Sequence, residues 1–242
     1  ALVGKGVMYD TGGYSLKTPT SMPGMKVDMA GAAAVICAIN ALASLDAKAN
    51  VMAIVAATDN RIGDGAVVPD DVLTAASGKT IEIISTDAEG RLTLADAVWF
   101  AQKEGAKKVV DVATLTGAMV AALGHAYTGV FTNNPKFLEE FKAVTELTNE
   151  PIWEMPISDV YRKELKSKVA DITNKGGRLA GASIAAAFIE EFIEKDTEWI
   201  HLDIAGTASK KEVVEKLQQV PVMPCEITGN TSISLTEWNS YV

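Results

Sequence analysis

The sequence predicts an α/β fold, a three-layer sandwich in which a central mixed, largely parallel sheet is flanked by helices. Three observations carry this. Short β-branched runs alternate with longer, Ala-rich segments of helical period. No internal repeat, low-complexity stretch or long linker interrupts them. Of the 242 residues, 48% are hydrophobic and 22% charged, an ordinary balance for a globular chain with room to bury polar groups.

Taken in order, Ala1 to Val3 reads as the end of a buried strand running into a Gly-rich loop through Gly13. Asp28 to Leu45 reads as a helix whose small residues, Ala30 to Ala34, permit close packing. Val51 to Ala57 is a fully apolar strand, and Thr80 to Ser85 is another. A helix follows Arg91 and continues to about Lys103. Strand Lys108 to Ala113, a short helix from Gly117 and strand Thr128 to Thr132 come next. Helices are expected near Lys136 to Leu147, Ser158 to Leu165 and Ala180 to Ile193, and the last clear strand is Trp199 to Ile204. Residues 1 to 208 therefore read as one domain; residues 209 to 242 are more polar, turn-rich and weakly periodic.

The net charge of −9 argues against a nucleic-acid or anionic-membrane partner, since neither attracts an acidic surface. The longest apolar runs read as one helix face or one strand, which predicts no membrane span. Cys37 and Cys225 have no metal or redox spacing; Cys37, in an Ala/Ile-rich segment, is expected as a small buried hydrophobe. Two isolated cysteines suit a reducing, cytoplasmic setting. The start at Ala1, directly in a strand and without a methionine, points to a segment upstream of it.

Two clusters could carry chemistry. One is Gly4-Lys5-Gly6 through Asp10-Thr11-Gly12-Gly13 to Lys17, followed by Asp28; the other is Asp87-Ala88-Glu89-Gly90-Arg91. Each follows a predicted strand, at the carboxyl end where open α/β sheets place ligands. On an extended backbone Asp87 and Glu89 would point the same way, with Arg91 joining them. Gathering Asp10, Asp28, Asp87 and Glu89 in one pocket is costly without countercharge, because crowded carboxylates resist ionisation. Divalent cations remove that cost, with Zn, Mn, Mg and Co all compatible with oxygen donors. Read alone, the same Gly-rich acidic loops also serve as turns and helix caps. No dinucleotide or P-loop pattern is completed, no His-Glu-x-x-His motif is present and no Gly-x-Ser-x-Gly elbow appears.

The motifs resemble the leucine (cytosol) aminopeptidase family. Gly4-Lys5-Gly6 with Asp10-Thr11-Gly12-Gly13, Lys17 and Met25-Lys26-Val27-Asp28-Met29 is similar to that family's first metal-binding stretch. Thr86-Asp87-Ala88-Glu89-Gly90-Arg91-Leu92 is similar to its most diagnostic block. Asp111 to Ala118, Phe131 to Asn134, Ala180-Gly181 and Trp199 to Gly206 resemble further stretches, in order, up to about residue 208.

The resemblance implies a two-metal aminopeptidase that releases leucine-like amino-terminal residues from peptides. In it Lys5, Asp10, Asp28 and Glu89 would bind one ion and Asp10, Asp87 and Glu89 the other, with Asp10 and Glu89 bridging. Lys5 would have to bind as the neutral amine, which adjacent dications and burial favour. Lys17 would stabilise the oxyanion, Arg91 would hold a bicarbonate acting as general base, and Leu115 would act through its backbone carbonyl. Met25, Thr114, Gly117, Ala205 and Ala208 match positions lining the first side-chain pocket. Zn or Mn, with Mg or Co as alternatives, a cytoplasmic location and a hexameric homo-oligomer are implied in the same way.

The resemblance also marks departures. The family's smaller amino-terminal domain, which helps assemble hexamers, has no counterpart in this sequence. Glu212 to Val242, with Pro221-Val222-Met223-Pro224-Cys225 in it, does not continue the family's Gly-rich ending. A catalytically inactive metal-binding fragment or subunit of the same fold is the alternative these departures raise.

Overall fold

The computed structural model describes residues 1–208; the divergent segment 209–242, and Cys225 within it, lie outside the described residues. Its frame is a six-stranded sheet in the order β2-β1-β5-β9-β6-β7. The strands are β1 (Leu2–Asp10), β2 (Ala53–Asn60), β5 (Lys108–Ala113), β6 (Thr128–Thr132), β7 (Ile152–Glu154) and β9 (Glu198–Asp203). All neighbours are parallel except β6 and β9, so the sheet is mixed and largely parallel as expected. A second sheet joins β3 (Val72–Thr74), β4 (Thr80–Glu82) and β8 (Ile172–Thr173).

Strand alternation distributes the helices between two faces. Gly4 and Val110 turn toward the face where α1 (Ala30–Ser44) and α4 (Pro135–Thr148) pack; a Cβ on Gly4 would meet the Ala32 backbone, and Ile200 packs with Leu138. Val3, Ala113 and Trp199 face the larger core, shared with α2 (Glu89–Lys103) and α6 (Gly181–Glu190) through Leu94, Val98, Ala186 and Phe188. Two shorter helices, α3 (Gly117–Leu123) and α5 (Asp159–Lys163), complete the layers. The three-layer α/β arrangement follows from this division.

Several expectations are corrected. The first strand runs to Asp10, and most of the stretch read as a Gly-rich loop is its body. The glycines weaken strand propensity, but pairing to β2 on one side and β5 on the other decides the matter. Cys37 is exposed, because α1 fully buries only Gly31, Ala32 and Val35, and Cys37 lies off that face. Met25–Ser44 is a 20-residue segment long and apolar enough, by length and composition alone, to cross a membrane, contrary to the reading of its apolar runs; here α1 packs on β1. The short strands β3, β7 and β8 were not foreseen.

Candidate metal centre

The carboxyl ends of four adjacent strands, β2, β1, β5 and β9, meet at one edge of the sheet, the location where open α/β sheets gather ligands. Asn60 ends β2, Asp10 ends β1, Thr114 follows β5 and Asp203 ends β9. Lys5 lies inside β1. In a regular strand Lys5 and Asp10, five residues apart, point to opposite faces. The register shifts between Val7 and Asp10, where three steps along β1 match two along β2, and this bulge turns both side chains into one cluster.

Asp87 and Glu89 arrive differently from the expectation. Their backbone is not extended: Thr86–Ala88 is a 3-10 turn and Glu89 opens α2. The Ser85 side chain accepts from Asp87 N–H, capping the turn, and Arg91 turns into the core. One carboxylate oxygen from each of Asp10, Asp87 and Glu89 can lie within 4.8 Å of the other two.

Two lysines interleave with the acids. Lys5 Nζ lies 2.7 Å from the Asp28 carboxylate and 3.0 Å from Glu89 Oε1. Lys17 Nζ lies 2.8 Å from Asp10 Oδ2 and pairs also with Asp87 Oδ1. Four carboxylates thus face two ammonium groups, and only Asp87, with 38% of its side chain exposed, opens to solvent. Burial works to lower the Lys5 pKa, yet the charges and hydrogen bonds of Glu89 and Asp28 outweigh it and raise it. Without a metal the acids therefore hold the Lys5 proton, so burial alone does not give the neutral amine. Burial pushes Asp28 up to about 6, with the Glu89 charge adding to it against the pull of Lys5. Partial burial raises Asp87 too, reinforced by Asp10 and Glu89. Lys17 is raised because its bonds to Asp10 and Asp87 overcome the cost of burial.

The surrounding loops hold these groups. Gly12, at φ 84°, has no room for a Cβ, which would sit 2.6 Å from Ser15 O and 2.9 Å from Asp87 Oδ1. Thr86 Oγ1 donates to Gly12 O at 2.6 Å and accepts from Ser15 N–H at 2.8 Å, tying the loop after β1 to the turn before α2. Asn60 Nδ2 donates to Asp10 Oδ1, Thr86 O and Glu89 Oε2 at 2.8, 2.9 and 3.2 Å. Thr114 Oγ1 donates to Asp28 Oδ1 at 2.8 Å, and Thr114 O accepts from Lys5 Nζ at 3.1 Å.

Of the residues singled out in the sequence, Lys5, Asp10, Lys17, Asp28, Asp87, Glu89 and Thr114 come together directly. Leu115, on the loop after β5, and Ala205, on the loop after β9, both donate N–H to Asp203, and Gly117 opens α3. Met25, half-buried in the 3-10 turn Met25–Val27, adjoins Asp28, whose N–H it receives. Ala208 is half-buried beyond β9. Arg91 is buried with Nη1 donating to Asn174 O at 2.9 Å and Nε unpartnered; burial lowers its pKa to about 10, so it stays protonated near neutrality. Asn60 was not foreseen, and Thr86 and Asp203, though within stretches that resemble the family, were given no role. A polar residue closing an apolar strand at this sheet edge is the signal that could have found Asn60.

The family model described as the catalytic domain of the cytosol aminopeptidase family matches residues 1–229. The chain belongs to the cytosol aminopeptidase family. Among the similar cytosol aminopeptidase sequences are proteins named "Probable cytosol aminopeptidase" from Clostridium tetani and Fusobacterium nucleatum. They are 52% identical over 209 residues and 54% identical over 208 residues; each alignment covers 86% of this chain and 43% of the relative. One of the same name from Bacillus subtilis is 49% identical over 209 residues, covering 86% of this chain and 42% of the relative. The chain thus spans a little under half the length of the cytosol aminopeptidases it matches.

Proposed function

We propose that this chain carries the chemistry of a metal-dependent aminopeptidase, using two divalent ions held by Lys5, Asp10, Asp28, Asp87 and Glu89. The single observation that carries the reading is the cluster of Asp10, Asp87 and Glu89 within 4.8 Å, flanked by Lys5 and Asp28. The donors fit cations. Asp28 Oδ2 is buried with Lys5 Nζ, 2.7 Å away, as its partner, and four acids share a pocket that two ammonium groups only half neutralise. Asp10 and Glu89 would bridge the ions, Lys5 and Asp28 would complete one site, and Asp87 the other. When bound, the two ions supply Lewis-acid polarisation of a peptide carbonyl, an activated water and an acceptor for a free amino terminus.

The protein's own groups do the remaining work. Lys17 is held cationic, which suits it to stabilising negative charge on the attacked oxygen. Arg91 keeps its proton near neutrality and cannot be the base; its unpartnered Nε suits it to holding a bicarbonate that could. Met25, Thr114, Gly117, Ala205 and Ala208 would form a small, apolar first pocket, giving a broad preference for leucine-like residues. Zn or Mn would serve, with Mg or Co as alternatives. A cytoplasmic protein that assembles into hexamers would enclose such sites, and its partners would be peptides rather than nucleic acid or membrane.

The test is metal content per chain together with hydrolysis of L-leucinamide before and after adding Mn or Zn. About two ions with turnover are expected. A metal-loaded, folded protein without turnover would support the inactive metal-binding alternative instead.

A further inference from the structure

Asp203 is 1% exposed at the end of β9, yet four donors converge on it. Its Oδ1 accepts from the N–H groups of Leu115, Thr116 and Ala205 at 3.2, 3.4 and 3.1 Å. Its Oδ2 accepts from Thr116 Oγ1 at 2.7 Å, and that hydroxyl in turn accepts from Met119 N–H at the start of α3. One buried carboxylate therefore ties the loop after β5, the loop after β9 and the first turn of α3 together.

Peptide geometry converts this into a direction. In a planar trans peptide the N–H and the C=O point opposite ways. The Leu115 N–H points at Asp203, so the Thr114 carbonyl must point away from it, and it does: it accepts from Lys5 Nζ at 3.1 Å, inside the cage. The Thr116 N–H points at the same oxygen, so the Leu115 carbonyl must also emerge away from Asp203. Among the described residues nothing donates to that carbonyl. It is an open acceptor on a half-buried residue, one peptide along from the carbonyl that binds Lys5.

We propose that Asp203 is a positioning residue that aims the Leu115 carbonyl at the substrate, and so sets substrate affinity without touching substrate or metal. The proposal rests on the aminopeptidase reading and on the role the resemblance implies for the Leu115 carbonyl, which is to hold substrate or water. The Ala205 N–H binds this carboxylate directly, and Gly117 lies between Thr116 and Met119, which the same carboxylate and the Thr116 hydroxyl hold, so the two loops are tied together.

The experiment compares Asp203→Ala and Asp203→Asn with the wild-type full chain, loaded with Mn, on L-leucinamide. An acceptor that contributes equally to substrate and transition state changes KM and spares kcat. Asp203→Ala is expected to raise KM roughly tenfold or more with kcat within about threefold and metal content unchanged. Asp203→Asn, which keeps one acceptor oxygen but loses the charge, is expected to lie between, at about threefold or more in KM. It is also expected to speed hydrogen exchange at the Leu115 and Thr116 amides, a readout independent of turnover. Should Asp203→Ala fail to fold, Asp203→Asn decides alone. An Asp203→Asn protein with wild-type KM overturns the proposal, as does one in which only kcat falls. A wild-type chain that loads metal but never turns over overturns the aminopeptidase reading itself, a distinct result.

Discussion

Asn60 donates its side-chain amide to Asp10 Oδ1 at 2.8 Å, and the same nitrogen reaches Glu89 Oε2 at 3.2 Å. The two carboxylates proposed to bridge the metals are thus oriented by one neutral residue that closes the neighbouring strand. Its third contact, to Thr86 O at 2.9 Å, fixes which way the amide faces, since all three neighbours are acceptors. Asn60→Ala is expected to weaken metal binding by roughly 10- to 100-fold, the usual effect of losing a group that orients ligands. Titration of the metal-free protein with Mn would show it; unchanged affinity would mean that Asp10 and Glu89 hold their orientation without Asn60.

Lys17 serves the cage as a charge rather than as a ligand. It pairs with Asp10 and Asp87 and remains cationic, yet it has no lone pair to offer a metal while protonated. Lys17→Ala is expected to lower turnover by roughly 10²- to 10³-fold, as removing a donor to a developing oxyanion does, while metal content stays near wild type. Elemental analysis alongside kcat would separate the two effects. Loss of metal in parallel with turnover would make Lys17 a structural counterion instead.

Gly90 gives a test that depends on space alone. A Cβ there would lie 2.6 Å from Lys5 Cε and 2.7 Å from Lys5 Nζ, so Gly90→Ala must push the end of Lys5 out of its place. The displacement breaks the buried pairs of Lys5 with Asp28 and Glu89, so the metal-free protein should also lose about 3–5 kcal/mol, read as a fall in melting temperature. Metal affinity should fall by at least about tenfold, because a ligand has left. Wild-type affinity in the Gly90→Ala protein would remove Lys5 from the ligand set.

The sequence made the frame legible wherever local pattern and tertiary packing agreed. The strands Lys108–Ala113 and Thr128–Thr132 were read at their observed bounds, since each is a short β-rich run closed by turn or cap residues. The identities of the clustered acids and lysines were legible as well, because the motifs name residue types. Their geometry was not. The stretch after Val3 has the composition of a loop, and only pairing with β2 and β5, distant in sequence, makes it a strand. Asp87 and Glu89 converge through a 3-10 turn and a helix start rather than by strand alternation. The bulge that brings Asp10 to the side of Lys5 depends on a register between β1 and β2 that no local pattern encodes. The roles of Asn60 and Asp203 were illegible for the same reason: each acts through contacts with loops that other strands deliver.

The buried pair of His201 and Asp111 supplies a pH dependence outside the cage. His201 Nδ1 lies 2.5 Å from Asp111 Oδ1, Trp199 Nε1 donates to Asp111 Oδ2 at 2.6 Å, and both His201 and Asp111 are fully buried. Burial lowers the His201 pKa, but the charge and hydrogen bond of Asp111 outweigh it, with Asp203 adding and Arg91 opposing, so the net direction is upward. A histidine whose folded pKa exceeds its unfolded value of about 6.5 binds more protons folded than unfolded over that interval. Its stabilisation is therefore complete below pH 6.5 and lost as pH rises through the folded pKa. Asp28, raised to about 6, loses its proton across the lower edge of this window, so the fall is read above pH 7, where Asp28 is largely ionised. Thermal melts of the metal-free protein should accordingly fall from pH 7 to pH 9. Asp111→Asn should flatten that fall and cost about 3–5 kcal/mol at pH 6, the usual loss when one partner of a buried pair is removed. A wild-type melting temperature flat across the window would mean that His201 is neutral in the fold, its Nδ1–H donating to Asp111 as an ordinary hydrogen bond.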